Sequence, residues 1–258
     1  MKRRSLLIVL FVLLISPAID GRAHTEGKVD KTCPLCAEKF TCVLDFSGTQ
    51  FGMRLDLKPL GPIAAPWRVP VCPVCHFVIY EDKIPEADLP KCKEIVGSEE
   101  YKKHSGRGSY FLVGLLFEGL NKEPLTAAQA FLQASWQGEG DKKLNQEDLE
   151  RSLKHFESFL KQPAPDQPAA KEDGEKAAPD NRRQTAQLLK GELLRRLSRF
   201  DEATKHFDAL TQIKEFQQGM LADIVKYQLR LCAAKDSAPH AAADAIQKKN
   251  DAAKEPVG

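Results

Sequence analysis

Four cysteines stand in two matched pairs, Cys33-Pro34-Leu35-Cys36 and Cys72-Pro73-Val74-Cys75. A Cys-Pro-x-Cys turn sets two thiols on one side of a tight loop. Two such loops brought together offer four sulfurs to one tetrahedral ion. Zn²⁺ suits that cage, since it makes no redox demand and binds thiolate sulfur at about 2.3 Å. One C-x-x-C alone carries little weight, whereas two matched ones, each followed by a strand-like run, carry much more. Cys33, Cys36, Cys72 and Cys75 are therefore the expected metal ligands, and zinc the expected cofactor.

Two other chemistries use the same residues. His76 completes a C-x-x-C-H, the attachment pattern of c-type haem, with His76 as proximal ligand and a distal His or Met still to be found. Against haem, the run after His76 reads as a strand, and the first cysteine pair would have no role. Disulfides are the other reading, either within each pair, as in a thiol–disulfide oxidoreductase or redox sensor, or across the two. No βαβ pattern surrounds either pair, as a thioredoxin-like site requires. Bridges inside such tight turns would close very small loops and constrain the unfolded chain little. The remaining thiols read as structural: Cys42 on the apolar side of a strand, Cys232 on a helical stripe with Val225 and Leu229. Cys92 has no assigned role. His104, His155 and His206 lie among charged residues and read as solvated.

Enzyme signatures are missing. No G-x-S-x-G, H-E-x-x-H or close carboxylate pair occurs, and the Gly-containing run at 105–109 lacks the lysine and preceding strand of a phosphate loop. The N-terminus reads as a targeting signal, with Lys2, Arg3 and Arg4, an apolar run at 6–15 too short to span a bilayer, and Gly21-Arg22-Ala23 before a cut after Ala23. Export through the general secretory route to the periplasm, envelope or exterior follows, with membrane contact only through an uncleaved signal. Removal of residues 1–23 takes the formal charge from +2 to about −1. Clustered Lys and Arg of the kind nucleic acid requires are not seen.

The elements that must position these residues fall into blocks. Residues 28–98 hold six of the seven cysteines and the strand-like sequence. Phe40, Cys42, Leu44 and Phe46 alternate with Thr41, Val43 and Asp45, and 67–71 and 77–80 are short β-rich runs divided by Pro-rich loop. Helical periodicity then takes over at 99–161. Ser109 and Thr126 are candidate caps, Asn145 and Asp148 approximate a capping box, and Leu149, Leu153, Phe156 and Leu160 form a stripe. Residues 162–182 read as linker, 183–234 as helices, and 235–258 as a disordered tail. In the second helical block Gly191, Leu194, Leu197, Phe200, Ala203 and Phe207 are spaced like a tetratricopeptide repeat. There a small residue lets two helices approach and an aromatic fills the space beyond. Trp136 and Phe156 hold comparable places in an earlier, degenerate unit.

The double Cys-Pro-x-Cys, the segment 132–136 ending in Trp136, and the Gly191-to-Phe207 unit together resemble the bacterial family grouped as domain of unknown function 2225, over residues 30–232. The resemblance implies a zinc-ribbon-like head and no established chemistry. It also marks a departure, because the position after each cysteine pair, usually glycine in that family, is Ala37 and His76 here. The expectation is an exported α+β chain. A small zinc-ribbon-like β head precedes a helical, tetratricopeptide-like body that is non-enzymatic and binds a protein or peptide.

Overall fold

The computed structural model describes residues 24–163 and 181–246, and in it a small antiparallel β head precedes a mainly helical body. The predicted signal segment and most of the predicted linker lie outside the described residues. β1 (Thr25–Thr32) pairs antiparallel with β2 (Lys39–Ser47), and the first cysteine turn joins them. Phe40, Cys42 and Leu44 turn inward and Thr41 and Val43 outward, as their alternation predicts. The pattern fails at the strand's end. Asp45 is buried and Phe46 is exposed, because the register slips between Thr25↔Ser47 and Glu26↔Asp45, leaving Phe46 as the extra residue of a bulge. β1 itself was not expected from its charged, Gly-containing sequence.

β3 (Gly52–Met53) and β4 (Pro59–Leu60) form a second, minimal hairpin. The strands expected at 67–71 and 77–80 shrink to a bridge between Val71 and Val78, with Ile79 N–H donating to the Pro70 carbonyl at 2.9 Å. Pro66, Pro70 and Pro73 lack the N–H groups a longer ladder would need.

Two helices come next: α1 (Leu89–Gly97), with Pro90 in its first turn, lies in the block read as a β head, and α2 (Glu99–Lys103), capped by Ser98, opens the block read as helical. The body comprises α3 (Ser109–Gly119), α4 (Pro124–Gln137), α5 (Lys142–Lys161), α6 (Arg182–Arg196), α7 (Phe200–Thr211) and α8 (Gly219–Ala233). The expected caps are displaced. Gly108 precedes α3, and Gln137 Oε1 accepts from Tyr110 N–H instead of a Ser109 cap; α4 begins at Pro124, before Thr126. Asp141 caps α5 by accepting from the N–H groups of Lys143 and Leu144, so Asn145 and Asp148 lie inside the helix.

The helix crossings follow the small-residue pattern. In α6 and α7, Gly191, Ala203 and Phe207 meet so closely that a Cβ on Gly191 would lie 2.2 Å from the Phe207 ring. In α4 and α5, Ala128, Ser152 and Phe156 play the same parts, all fully buried, with Ser152 Oγ donating to the Ala128 carbonyl. One core runs through both pairs and on to Val225 and Cys232 of α8, with Trp136 and Leu160 packed at its margin.

The head and the helical body are packed as one. Cys33, Cys72, Phe77 and Cys92 share a second core with Phe111, Leu112, Leu116 and Phe131, so the expected boundary at residue 98 cuts through packed side chains. Residues 235–246, expected as disordered tail, are held in place. Leu55 N–H donates to the His240 carbonyl and Ala242 N–H to the Met53 carbonyl, each at 2.9 Å. The fully buried Arg195 donates to the carbonyls of Asp236 and Ala238 while its guanidinium pairs with buried Glu192. Backbone pairing and one arginine supply what the segment's scarce apolar side chains do not.

Candidate metal centre

Each cysteine pair sits at the tip of a hairpin, and the two tips repeat one backbone pattern. In the first, Cys33 N–H donates to the Glu38 carbonyl at 2.8 Å and Ala37 N–H to the Cys33 carbonyl at 2.9 Å. In the second, Cys72 N–H donates to the Phe77 carbonyl at 2.9 Å and His76 N–H to the Cys72 carbonyl at 3.0 Å. Closing each turn drives the residue after the second cysteine into the left-handed region, with φ of 62° at Ala37 and 60° at His76. Glycine, with no Cβ, would meet this conformation at no steric cost.

The two tips face each other. Cys33 Sγ lies 3.6 Å from Cys75 Sγ, and Cys36 Sγ lies 3.5 Å from Cys72 Sγ. All four sulfurs lie within 4.8 Å of one another. Sulfurs bound tetrahedrally to an ion at about 2.3 Å stand about 3.8 Å apart. The observed spacing is therefore close to that of a four-sulfur cage, and the cluster can hold a metal ion. All four residues predicted as ligands are brought together.

Burial sets the ionisation of these thiols. Burial pushes the Cys33 and Cys75 thiols up, whereas Cys36, exposed, is pulled down by the Glu38 backbone N–H. Without an ion, burial works against the thiolate forms; a divalent cation at the centre reverses that balance and deprotonates coordinating thiols. Cys33 and Cys72 are buried on the side of the shared core, and Cys36 opens to solvent.

Groups outside the cysteine pattern brace the site. Tyr101 of α2, fully buried, donates its hydroxyl to the His76 carbonyl at 2.9 Å, which pins the second turn from behind. Its sequence setting, a lone aromatic in a charged run after Ser98, carried little signal of this. Lys31 and Asp82 form an ion pair between the flanks of the two turns. Cys92 stays out of the cluster, buried in α1 with its thiol pushed up by burial. Cys42 directs its thiol toward the Val29 carbonyl at 3.6 Å, and Cys232 is buried in the first core.

The histidines expected to be solvated are half-buried and partnered. His104 lies 3.3 Å from Glu100, and His155 lies 2.7 Å from Glu118 while stacking on Phe131. His206 Nε2 is 2.8 Å from the Gln187 carbonyl. A second grouping of possible ligands, His24, Glu26 and Asp45, already has its cation: Arg68 pairs with Glu26 and Asp45. Among the described residues, no helix is long and apolar enough to cross a membrane. Comparison of the chain with protein-family models, curated proteins and solved structures finds no match, so the functional reading rests on this geometry.

Proposed function

We propose that the four sulfurs hold one structural zinc ion, and that the chain is an exported, non-enzymatic binding protein whose head is stapled by that metal. The observation that carries the metal reading is the meeting of two identically hydrogen-bonded Cys-Pro-x-Cys turns, with sulfurs 3.5 and 3.6 Å apart across them. Four thiolates suit zinc among biological divalent ions, and four protein ligands leave no open position for a substrate. A haem on Cys72 and Cys75 would need the face that the sulfurs of Cys33 and Cys36 occupy. Export rests on the N-terminal basic and apolar pattern alone.

Binding of a protein or peptide is the reading of the surface. Phe46, Phe51, Trp67 and Val74 of the head are exposed, at 57%, 76%, 41% and 62%. Large apolar side chains left exposed on the head suit contact with another chain. The helical body, with its tetratricopeptide-like crossings, supplies a rigid support. A thiol–disulfide oxidoreductase is the second reading, favoured by the exposure of Cys36.

The deciding experiment is metal analysis of reduced, purified protein. One zinc per chain, lost on mercurial modification of the thiols, is expected, with no Soret band. The Cys36→Ser and Cys72→Ser variants should bind zinc at least about tenfold more weakly, since each removes one of four ligands. Full-strength zinc binding by both variants would remove this site.

A further inference from the structure

The closest sulfur pairs do not lie within the turns. They run across them, Cys36 to Cys72 and Cys33 to Cys75. Resting on the zinc reading, we propose that these four sulfurs are a redox-exchangeable staple. Oxidation by a peroxide forms the Cys36–Cys72 and Cys33–Cys75 disulfides, expels the zinc and leaves the head folded.

The geometry supports this pairing. A disulfide bond is about 2.05 Å long, so each cross-turn pair must close by about 1.5 Å, a distance within reach of side-chain rotation. The turn backbones stay fixed, because their closing hydrogen bonds do not involve the thiols. A link within one turn would tie residues already held together, whereas a cross-turn link closes a long loop and holds the two hairpin tips together as the metal does. Oxidant meets Cys36 first, because Cys36 is exposed while Cys33 and Cys72 are buried. Cys42, Cys92 and Cys232 lie outside the cluster and take no part.

The chemistry balances with peroxide as the named oxidant. The Cys36 thiolate attacks one peroxide oxygen, the O–O bond breaks, and a sulfenic acid and hydroxide result. The Cys72 thiolate then attacks the Cys36 sulfur, forming the disulfide and displacing a second hydroxide. In forming each disulfide, two thiolates give up two electrons, which reduce one peroxide to two waters once protons are taken up. Two peroxides thus convert four thiolates to two disulfides and free the ion.

The test uses the full chain, reduced and loaded with zinc, then treated with hydrogen peroxide. Expected are release of the bound zinc to a chromogenic chelator and loss of four of the seven thiols. Trypsin without reduction should yield residues 32–39 and 69–83 as one joined fragment. The double variant Cys33→Ser/Cys75→Ser should still join them, through Cys36 and Cys72. Cys36→Ser/Cys75→Ser should do so about tenfold more slowly, its remaining sulfurs being the mismatched pair. Hydrogen exchange over residues 28–98 should match between the zinc and oxidised forms and be faster in reduced, chelator-treated protein. Separate fragments, each carrying an internal disulfide, would overturn the pairing, and an oxidised head that exchanges as fast as the stripped one would overturn the exchange. A reduced chain that takes up no zinc sinks the metal reading and the exchange with it. Joined fragments in that case would identify a plain disulfide staple, so the two failures are told apart.

Discussion

At Ala37 and His76 the backbone passes through the left-handed region with a side chain attached. An L-residue there bears a cost of about 1–2 kcal/mol, partly offset by the looser unfolded state that glycine would bring. Ala37→Gly and His76→Gly should therefore each raise stability by about 0.5–1 kcal/mol, read by urea titration of the zinc form. Valine at either position should lower it. Asp148 offers a pH readout of the same scale. Burial pushes its carboxyl up to about 7 although Arg107 pairs with it. Between the ordinary 3.8 and about 7, the folded chain keeps a proton that the unfolded chain has released. The contribution of this group to stability therefore falls as pH rises through that window, by up to about 1.4 kcal/mol per pH unit. Asp148→Asn should flatten that slope, and denaturant titrations at pH 5 and pH 8 would show an unchanged slope if the carboxyl is ionised throughout.

Between elements, the close crossing of α6 and α7 is the feature most open to test. Alanine is a better helix former than glycine by about 1 kcal/mol, yet a Cβ at Gly191 would meet the Phe207 ring at 2.2 Å. Overpacking should win, so Gly191→Ala should lower stability by roughly 1–3 kcal/mol, and Ala203→Leu by a similar amount. A gain on Gly191→Ala by thermal melting would mean that the helices can part without loss. This crossing was legible in the sequence because small and aromatic residues at fixed spacing carry it. The four clustered cysteines were legible for the same reason, a short motif read twice. Helix starts were not. Gln137 reaching from the end of α4 to the first turn of α3 is a contact between segments, and Asp141 took the cap that the Asn145–Asp148 spacing suggested. The bulge that turns Phe46 outward was equally hidden, since Asp45 is held inside by the Arg68 backbone N–H and by His24, neither of them a neighbour in sequence.

Across the whole molecule the cysteine cluster and the helices share a core, so removal of one of its thiols should not stay local. Cys72→Ser should quicken hydrogen exchange in residues 28–98 and in α3, where Phe111, Leu112 and Leu116 pack against Phe77 and Cys72, while α7 and α8 keep their protection. Unchanged exchange in α3 would mean that the shared core holds without the ligand. The loop between β3 and β4 is governed by charge. Burial pushes the Asp56 carboxyl up, but Arg54 and Arg196 outweigh it and hold it below the ordinary range. Asp56→Ala takes the carboxylate from the half of Arg54 that Glu139 does not hold and from Arg196. The expected loss is about 3–5 kcal/mol, as for one side of a buried pair, and a denaturant titration showing under about 1 kcal/mol would rule that out. The strap at 235–246 carries a consequence for the order of events during synthesis. Two of its backbone hydrogen bonds are to Met53 and Leu55, far back in the sequence, so on a ribosome the β3–β4 hairpin emerges long before the segment that seals it. Both cysteine turns also emerge before that seal. Such distant pairing is slow to form. The β3–β4 hairpin is therefore sealed only after both cysteine turns have been made.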